Sequence, residues 1–343
     1  MIRSGKKQFL FFIVLFVLLI ISACVKEEKG TTFDYSYFIP SHFPAPDLAF
    51  EDLPTEAKIK LGKKLFYDPI MSADSTISCA SCHNPNIAFS DDVALSLGVK
   101  GALGTRNAPT LANVVYQKRL LREGGLPTLE MQVLVPIQEH NEFNTNILLI
   151  ADKLNQSKPY RDLSLAAFGR SEIDAFVITR SIAAFERVLI SGDSKYDQSI
   201  QGKAKLTEME SLGKDLFFSE KTQCSNCHGT FLFTNQTFQN NGLYLQYNDA
   251  GRKRFTDLDA DDATFKVPTL RNIALTSPYM HDGSLQSLED VIEHYNSGSQ
   301  PHQNKSHLIH PLDLTKTEKE ALLAFLKTLT DQTFVNNKYF RNE

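Results

Sequence analysis

The sequence predicts a mainly α-helical protein built as two tandem modules, and three observations carry that expectation. A five-residue block, CASCH at Cys79–His83, returns as CSNCH at Cys224–His228. Longer segments around the two blocks repeat in the same order. Between them apolar residues recur at helical intervals, and no run alternates apolar and polar positions as a half-buried strand does.

The N-terminus reads as an address. Arg3, Lys6 and Lys7 precede an apolar run, FLFFIVLFVLLII, from Phe9 to Ile21. That run is short for a membrane span and suits the apolar core of a signal peptide. It ends in ISAC, small residues leading into Cys24, which resembles a bacterial lipobox. Residues 1–24 are therefore expected to be a lipoprotein signal peptide with Cys24 as the lipidated residue; an uncleaved anchor helix is the alternative. Either way the body works outside the cytoplasm. Residues 25–50, polar and then FIPSHFPAPD, read as a tether. Loss of the three basic residues takes the formal charge from −4 to −7 (−4 − 3). No basic stripe exists to hold nucleic acid.

The body repeats itself. LGKKLFYDPIMSADSTISCASCH from Leu61 aligns with LGKDLFFSEKTQCSNCH from Leu212. NAPTLANV from Asn107 matches KVPTLRNI from Lys266, and EGGLPTLE from Glu123 matches DGSLQSLE from Asp282. The last two matches share one offset, 159 residues (268 − 109 and 282 − 123). The modules are placed at 51–205 and 206–343. Within the first, SEIDAFVITRSIAAFERVLI has Ser171 and Asp174 at capping-box spacing. Within the second, Thr315 and Glu318 open a helix whose Leu322, Phe325, Leu326 and Leu329 share one face.

Only five cysteines occur, and four lie in the two CxxCH blocks. A structural zinc site needs two such pairs close together, and these lie in different modules. Disulfides suit an exported chain but need no histidine after each pair. C-x-x-C-H is the attachment signature of c-type haem: two thioethers hold the porphyrin and the histidine ligates iron from one face. Cys79, Cys82, Cys224 and Cys227 are then covalent anchors, and His83 and His228 are proximal ligands. The opposite face decides the chemistry, since a side chain there favours electron transfer and an open face admits a small molecule. The candidates are Met131 and His140 after His83. After His228 they are Met280, Tyr295 and the histidines at 281, 294, 302, 307 and 310.

With these motifs in order the chain resembles the bacterial dihaem cytochrome c peroxidase family, which includes MauG-type enzymes. The resemblance rests on CASCH, TRNAPTLANV, GGLPTLEMQVLVPIQEHNEF, IAAFERVL, CSNCH, FKVPTLRNIALTSPYMHDGSLQSLEDVIEHY and LLAFLKTLT. It implies two tandem cytochrome c-like domains, each with one covalently bound haem. The N-terminal haem reduces hydrogen peroxide to water, and the C-terminal haem feeds it electrons from a small donor protein, a cytochrome c or a cupredoxin. It places Glu142 at the catalytic acid position and Gln132 at the glutamine of the peroxide pocket. A carboxylate beside an open iron can carry a proton from one peroxide oxygen to the other. Among apolar neighbours such as Phe143 its pKa is expected to rise. Asn107, Thr276 and Pro278 match the family's calcium site, which uses side-chain and carbonyl oxygens. The setting implied is a lipoprotein of a Gram-negative bacterium, membrane-anchored and facing the periplasm, with a homodimer open to it.

Three positions depart from the family pattern. Val99 fills the place of a histidine that caps the peroxidatic haem, so the first haem is expected to be open at rest. Tyr295 stands where the distal methionine of the second haem is expected, as in MauG, with Met280 as the other candidate. Arg122 replaces the tryptophan between the haems, which removes a redox-active aromatic from that point; Tyr116 or another aromatic is the alternative route. Two further functions stay open: a MauG-like oxidase that uses peroxide to modify a partner protein, and a two-haem electron carrier.

Overall fold

A computed structural model describes residues 33–342 of the chain. The expected signal peptide over 1–24, with Cys24, and the start of the expected tether lie outside the described residues. Tyr35–Glu343 forms one compact unit. Its helices are α1 Glu56–Tyr67, α2 Leu129–Gln138, α3 Ile147–Asn155, α4 Lys158–Phe168, α5 Ala175–Glu186 and α6 Lys195–Ile200. They continue with α7 Glu208–Phe217, α8 Cys224–His228, α9 Lys253–Thr256, α10 Leu288–Asn296, α11 Lys316–Lys327 and α12 Gln332–Val335. Among the described residues the strands are β1 Phe238–Gln239 and β2 Phe265–Lys266, antiparallel with Phe238 opposite Lys266. The mainly helical expectation holds.

One helix pair organises each half, and both crossings sit on a glycine. A Cβ on Gly62 of α1 would lie 1.8 Å from the Ser181 carbonyl oxygen of α5. One on Gly213 of α7 would lie 1.8 Å from that of Ala321 in α11. Only a residue without a Cβ lets two backbones meet so closely. Around the first crossing Leu61, Leu65, Val177, Ile178 and Ile182 are no more than 1% exposed. Around the second, Phe325 and Leu329 are fully buried beside Phe217 and Leu322. Each such side chain contributes about 1.5–3 kcal/mol of burial.

The repeat is visible atom by atom. α2 and α10 start on Thr128 and Ser287, whose hydroxyls accept from Met131 N and Asp290 N. Asn113 and Asn272 share a left-handed φ of 62°, and Gly124 and Gly283 share 70°. The bridge between Leu120 and Leu126 recurs between Tyr279 and Leu285. Each correspondence keeps the 159-residue offset (287 − 128, 272 − 113, 279 − 120).

α11 begins as expected: Thr315 Oγ1 accepts from Glu318 N, and the Glu318 carboxylate accepts from Thr315 N at 2.8 Å. α5 starts later than the Ser171 spacing suggests. Asp174 is its cap, accepting from Val177 N at 3.0 Å. Asn155 fixes the approach by accepting from Ile173 N at 2.9 Å. An ionised carboxylate at a helix N-terminus gains from the dipole as well as the hydrogen bond, so it takes the cap from a serine upstream.

Two boundaries are corrected by packing. The tether expected over 25–50 is docked from Tyr35 onward. Phe43 is 6% exposed, with its ring 4.8 Å from that of Phe231, and Tyr116 Oη donates to the Pro44 carbonyl at 2.9 Å. Its aromatics and prolines cover a groove opened by Gly192, where a Cβ would meet Pro40 at 2.5 Å. The tail, expected with the second module, packs on the first: Phe334 of α12 lies 5.9 Å from Phe89, and Tyr67 Oη donates to the Phe340 carbonyl at 2.6 Å.

A methyl at Gly213 has rigid backbone to displace. Gly213→Ala is expected to destabilise the holoprotein by about 3 kcal/mol, the upper end for overpacking. Urea unfolding measures it, and an unchanged midpoint would show that the crossing is not tight.

Candidate active site

Both CxxCH blocks sit on single turns that enter a cavity, CAS as one 3-10 turn at Cys79–Ser81 and CSNCH as α8. Cys79, Cys82, Cys224 and Cys227 are free thiols. The first pair lines one cavity and the second pair another. Among the described residues no group of three or more His, Cys, Asp or Glu could hold a metal ion. Burial pushes all four thiols up, Cys82 to about 11.

The imidazoles are held alike. His83 Nδ1 lies 3.0 Å from the Phe89 carbonyl oxygen and His228 Nδ1 lies 2.8 Å from that of Phe233. A carbonyl only accepts, so Nδ1 carries the hydrogen and Nε2 keeps a free lone pair. Both phenylalanines adopt left-handed φ, 58° and 53°, which turns their carbonyls toward the rings. Burial lowers both imidazoles, His228 to about 4, so each is in its neutral, metal-binding form. Two thiols and one imidazole lone pair facing an apolar cavity fit a covalently attached haem c, and the set occurs twice.

The first cavity gathers Cys79, Cys82, His83, Gln132 and Glu142. Gln132 comes from α2, whose proline, Pro136, leaves a carbonyl that accepts from Phe143 N at 3.1 Å. The chain then turns, with Glu142 N donating to the Glu139 carbonyl at 3.0 Å. A second segment clamps the turn: Val99 N donates to the Glu142 carbonyl at 2.9 Å. Gly98 beside it has no room for a side chain, since a Cβ would meet the Asn141 carbonyl oxygen at 2.0 Å. Val99 is itself buried and is not among the cavity's lining residues. Burial first, and then the Glu139 charge, raise the Glu142 carboxyl above its ordinary value. Met131 is 45% exposed and His140 pairs with Glu139 at 2.7 Å, so neither reaches the cavity. His83 is the only histidine lining it among the described residues.

Sequence reasoning missed Glu186. It ends α5, lines the first cavity, and burial raises its carboxyl to about 8. Its Oε2 has no hydrogen-bond partner. The available signal was a lone acid inside the apolar IAAFERVL.

The second cavity gathers Cys224, Cys227, His228, Tyr295, Met280, His281 and His310. The ring of His281 stacks on Phe265 at 4.2 Å, and His310 Nδ1 is 2.9 Å from the Pro311 carbonyl oxygen. His294, His302 and His307 do not line the cavity. Tyr295 and Met280 share one partner, Asn241. Its amide lies 3.1 Å from Met280 Sδ and also hydrogen-bonds the Tyr295 phenol. Burial raises that phenol to about 12. Asn241 was not foreseen.

A common wall separates the cavities. Arg122, Lys266, Pro268, Ile273, Tyr279 and Met280 line both. Asn107, Thr276 and Pro278 line the first cavity beside this wall. Asn107 is held by Arg122, whose Nε and Nη2 donate to the Asn107 carbonyl at 2.9 and 2.7 Å. Tyr116 is elsewhere, packed on Phe43 and Phe231.

Two matching cavities repeat one donor set for a covalently held haem, and the first is lined by an acid and an amide as well as its histidine. The family model described as di-haem cytochrome c peroxidase matches residues 56–205, and the chain belongs to that family. Among its relatives is the methylamine utilization protein MauG of Methylorubrum extorquens, 34% identical over 80% of this chain and 78% of that protein. The cytochrome c551 peroxidase of Nitrosomonas europaea is 36% identical over 79% of each chain. A crystal structure of a MauG-like protein associated with microbial copper homeostasis superposes with a TM-score of 0.85 at 37% identity, covering 88% of this chain and 97% of that one. The diheme peroxidase BthA of Burkholderia thailandensis shares the fold at 23% identity and a TM-score of 0.73, covering 82% of this chain and 88% of that one. The protein is an oxidoreductase acting on peroxide, which sets aside the electron-carrier reading.

Because Tyr295 and Met280 hang on one amide, their roles separate by substitution. Tyr295→Phe is expected to change the ferric absorption of the second haem and leave the first unchanged. A spectrum identical to wild type would move the assignment to Met280.

Proposed function

We propose that this chain carries one haem c on Cys79, Cys82 and His83 and a second on Cys224, Cys227 and His228, and reduces hydrogen peroxide at the first. The observation that carries the reading is the meeting of Glu142, Gln132 and His83 around one cavity that holds no other histidine among the described residues. When bound, the haem iron supplies the coordination site for a peroxide oxygen and the reducing electrons. Glu142 takes the proton from the oxygen nearer the iron and returns it to the departing oxygen, which leaves as water. The Gln132 amide donates to the peroxide and holds it in line for that transfer. Overall, one peroxide, two electrons and two protons give two waters.

The turn around Glu142 supports this role. Its main chain is fixed from two sides by Glu139 and Val99, so the stem of the side chain is held at the cavity before the substrate arrives. With haem bound at both sites, the second would take electrons from a small donor protein, and the wall lined by Arg122 and Tyr279 would lie between it and the first. A guanidinium has no accessible oxidised state, so Arg122 cannot act as a stepping stone. Tyr279 also lines both cavities, but its phenol donates to the Ile273 carbonyl at 3.0 Å, which cannot take up its proton. Neither residue therefore serves as a radical relay across the wall. Lipidation at Cys24 would hold the enzyme on a membrane facing the periplasm.

A second reading has its own support. Relatives named MauG, together with Tyr295 at the second cavity, favour an oxidase that uses peroxide to modify a partner protein. Peroxide consumption without an added reductant, when a candidate partner is present, separates it from the peroxidase.

Glu142→Gln is expected to lower peroxide turnover about 10²–10⁴-fold while both haems stay attached. Steady-state assays with a reduced donor measure it, and unchanged turnover would remove Glu142 from the mechanism. The pH profile gives an independent reading. The base form of Glu142 accumulates only above its raised pKa, so turnover rises with pH across a window above the ordinary carboxylate value of about 4.3. That limb should vanish in Glu142→Gln.

A further inference from the structure

We propose that the Arg122 guanidinium is the resident cation of the wall between the two cavities, and that the chain needs no calcium there. The family resemblance offers Asn107, Thr276 and Pro278 as calcium ligands, but the residues around them do not fit that ion. A hard cation needs six to eight oxygen ligands, several of them usually carboxylates. Arg122 Nη2 already donates to Asn107 Oδ1 at 2.8 Å, and Nη2 and Nε donate to its carbonyl at 2.7 and 2.9 Å. Both oxygens that Asn107 could offer a metal are therefore bound to a positive charge. The rest of Asn107 is also fixed: Nδ2 donates to the Val93 carbonyl at 3.2 Å and the main-chain N to that of His281 at 2.9 Å. The side chain cannot turn away to recruit an ion without breaking these bonds.

The nearby acids are taken as well. Asp249 receives Arg106 Nε at 2.6 Å and Nη2 at 2.9 Å, and Glu123 pairs with Arg106 Nη1. Asp282 accepts from Tyr244 Oη at 2.6 Å and Ser284 N at 3.1 Å. No carboxylate among the described residues lies within ion-pair distance of Arg122. Its charge has no ion-pair partner, and Asp282 and Asp249 act on it only from beyond that distance; Lys266 stands beside it in the wall, its main-chain N donating to the Arg122 carbonyl at 2.7 Å. A divalent ion placed here would meet the Arg122 charge at short range in a poorly solvated wall. The guanidinium offers instead a planar fork that satisfies both Asn107 oxygens with one charge.

Metal analysis and thermal unfolding of the holoprotein test this. After treatment with a calcium chelator and desalting, the wild type should retain far less than one calcium per chain. Its Tm should move by less than about 1 °C between chelator and millimolar calcium, since an ion that does not bind the native state shifts nothing. Arg122→Gln frees the Asn107 oxygens, so its Tm should fall in chelator and rise again in millimolar calcium. Arg122→Lys keeps the charge and should stay indifferent to calcium. Stoichiometric calcium surviving chelation in the wild type, or a wild-type Tm that drops in chelator, would overturn the proposal. So would Arg122→Gln melting with the wild type in chelator. If Arg122→Gln does not fold, the wild-type metal content and chelator series decide alone.

Discussion

Everything at this site depends on where two main-chain carbonyls point. Phe89 and Phe233 turn theirs onto Nδ1 of His83 and His228, which fixes the tautomer and leaves the Nε2 lone pair available as a ligand. A left-handed backbone is unfavourable for phenylalanine, so each must be held by its surroundings. The ring of Phe89 packs against Phe66 and Phe185 at 5.9 and 6.3 Å, and these belong to α1 and α5. The ring of Phe233 packs against Phe217 and Phe325 at 6.0 and 6.3 Å, from α7 and α11. Those two helix pairs close on Gly62 and Gly213. A chain of contacts thus runs from a missing Cβ, through aromatic packing, to the orientation of an imidazole. It is built twice with the same residue types.

What differs between the cavities is everything opposite the histidine. The first has Gln132, Glu142 and Glu186, polar groups in apolar surroundings, two of them with raised carboxyl pKa values. The second has Tyr295 and Met280 on a shared amide. The scaffold is symmetric and the chemistry is not, because most of these residues sit on α2, α10 and the loops, where substitutions leave the helix crossings undisturbed, and Glu186 stands at the last residue of α5.

Much of this was legible in the sequence, and the pattern of what was not is physical. The CxxCH blocks, the constant offset and the α11 capping box are local signals, and all appear in the structure where they were expected. The start of α5 was misplaced because two acceptors three residues apart both suit a cap, and only the Asn155 contact to Ile173 decides between them. Asn241 and the Arg122–Asn107 fork have no local signature. Their partners lie 15 or more residues away, as in Arg122 to Asn107 or Asn241 to Met280 at 39. The docked strap at Phe43 escaped for the same reason, since a proline-rich run reads as a linker until the groove beneath it is seen.

The ring of Phe334, which closes on Phe89, gives the far end of the chain a say in the near half. Translation delivers His83 251 residues before Phe334 (334 − 83), so the aromatic backing of the first imidazole stays one ring short until that later segment has been made. A prematurely terminated product would present an intact CASCH on an incomplete wall. A chain cut before Phe334 would leave the packing around Phe89 unfinished.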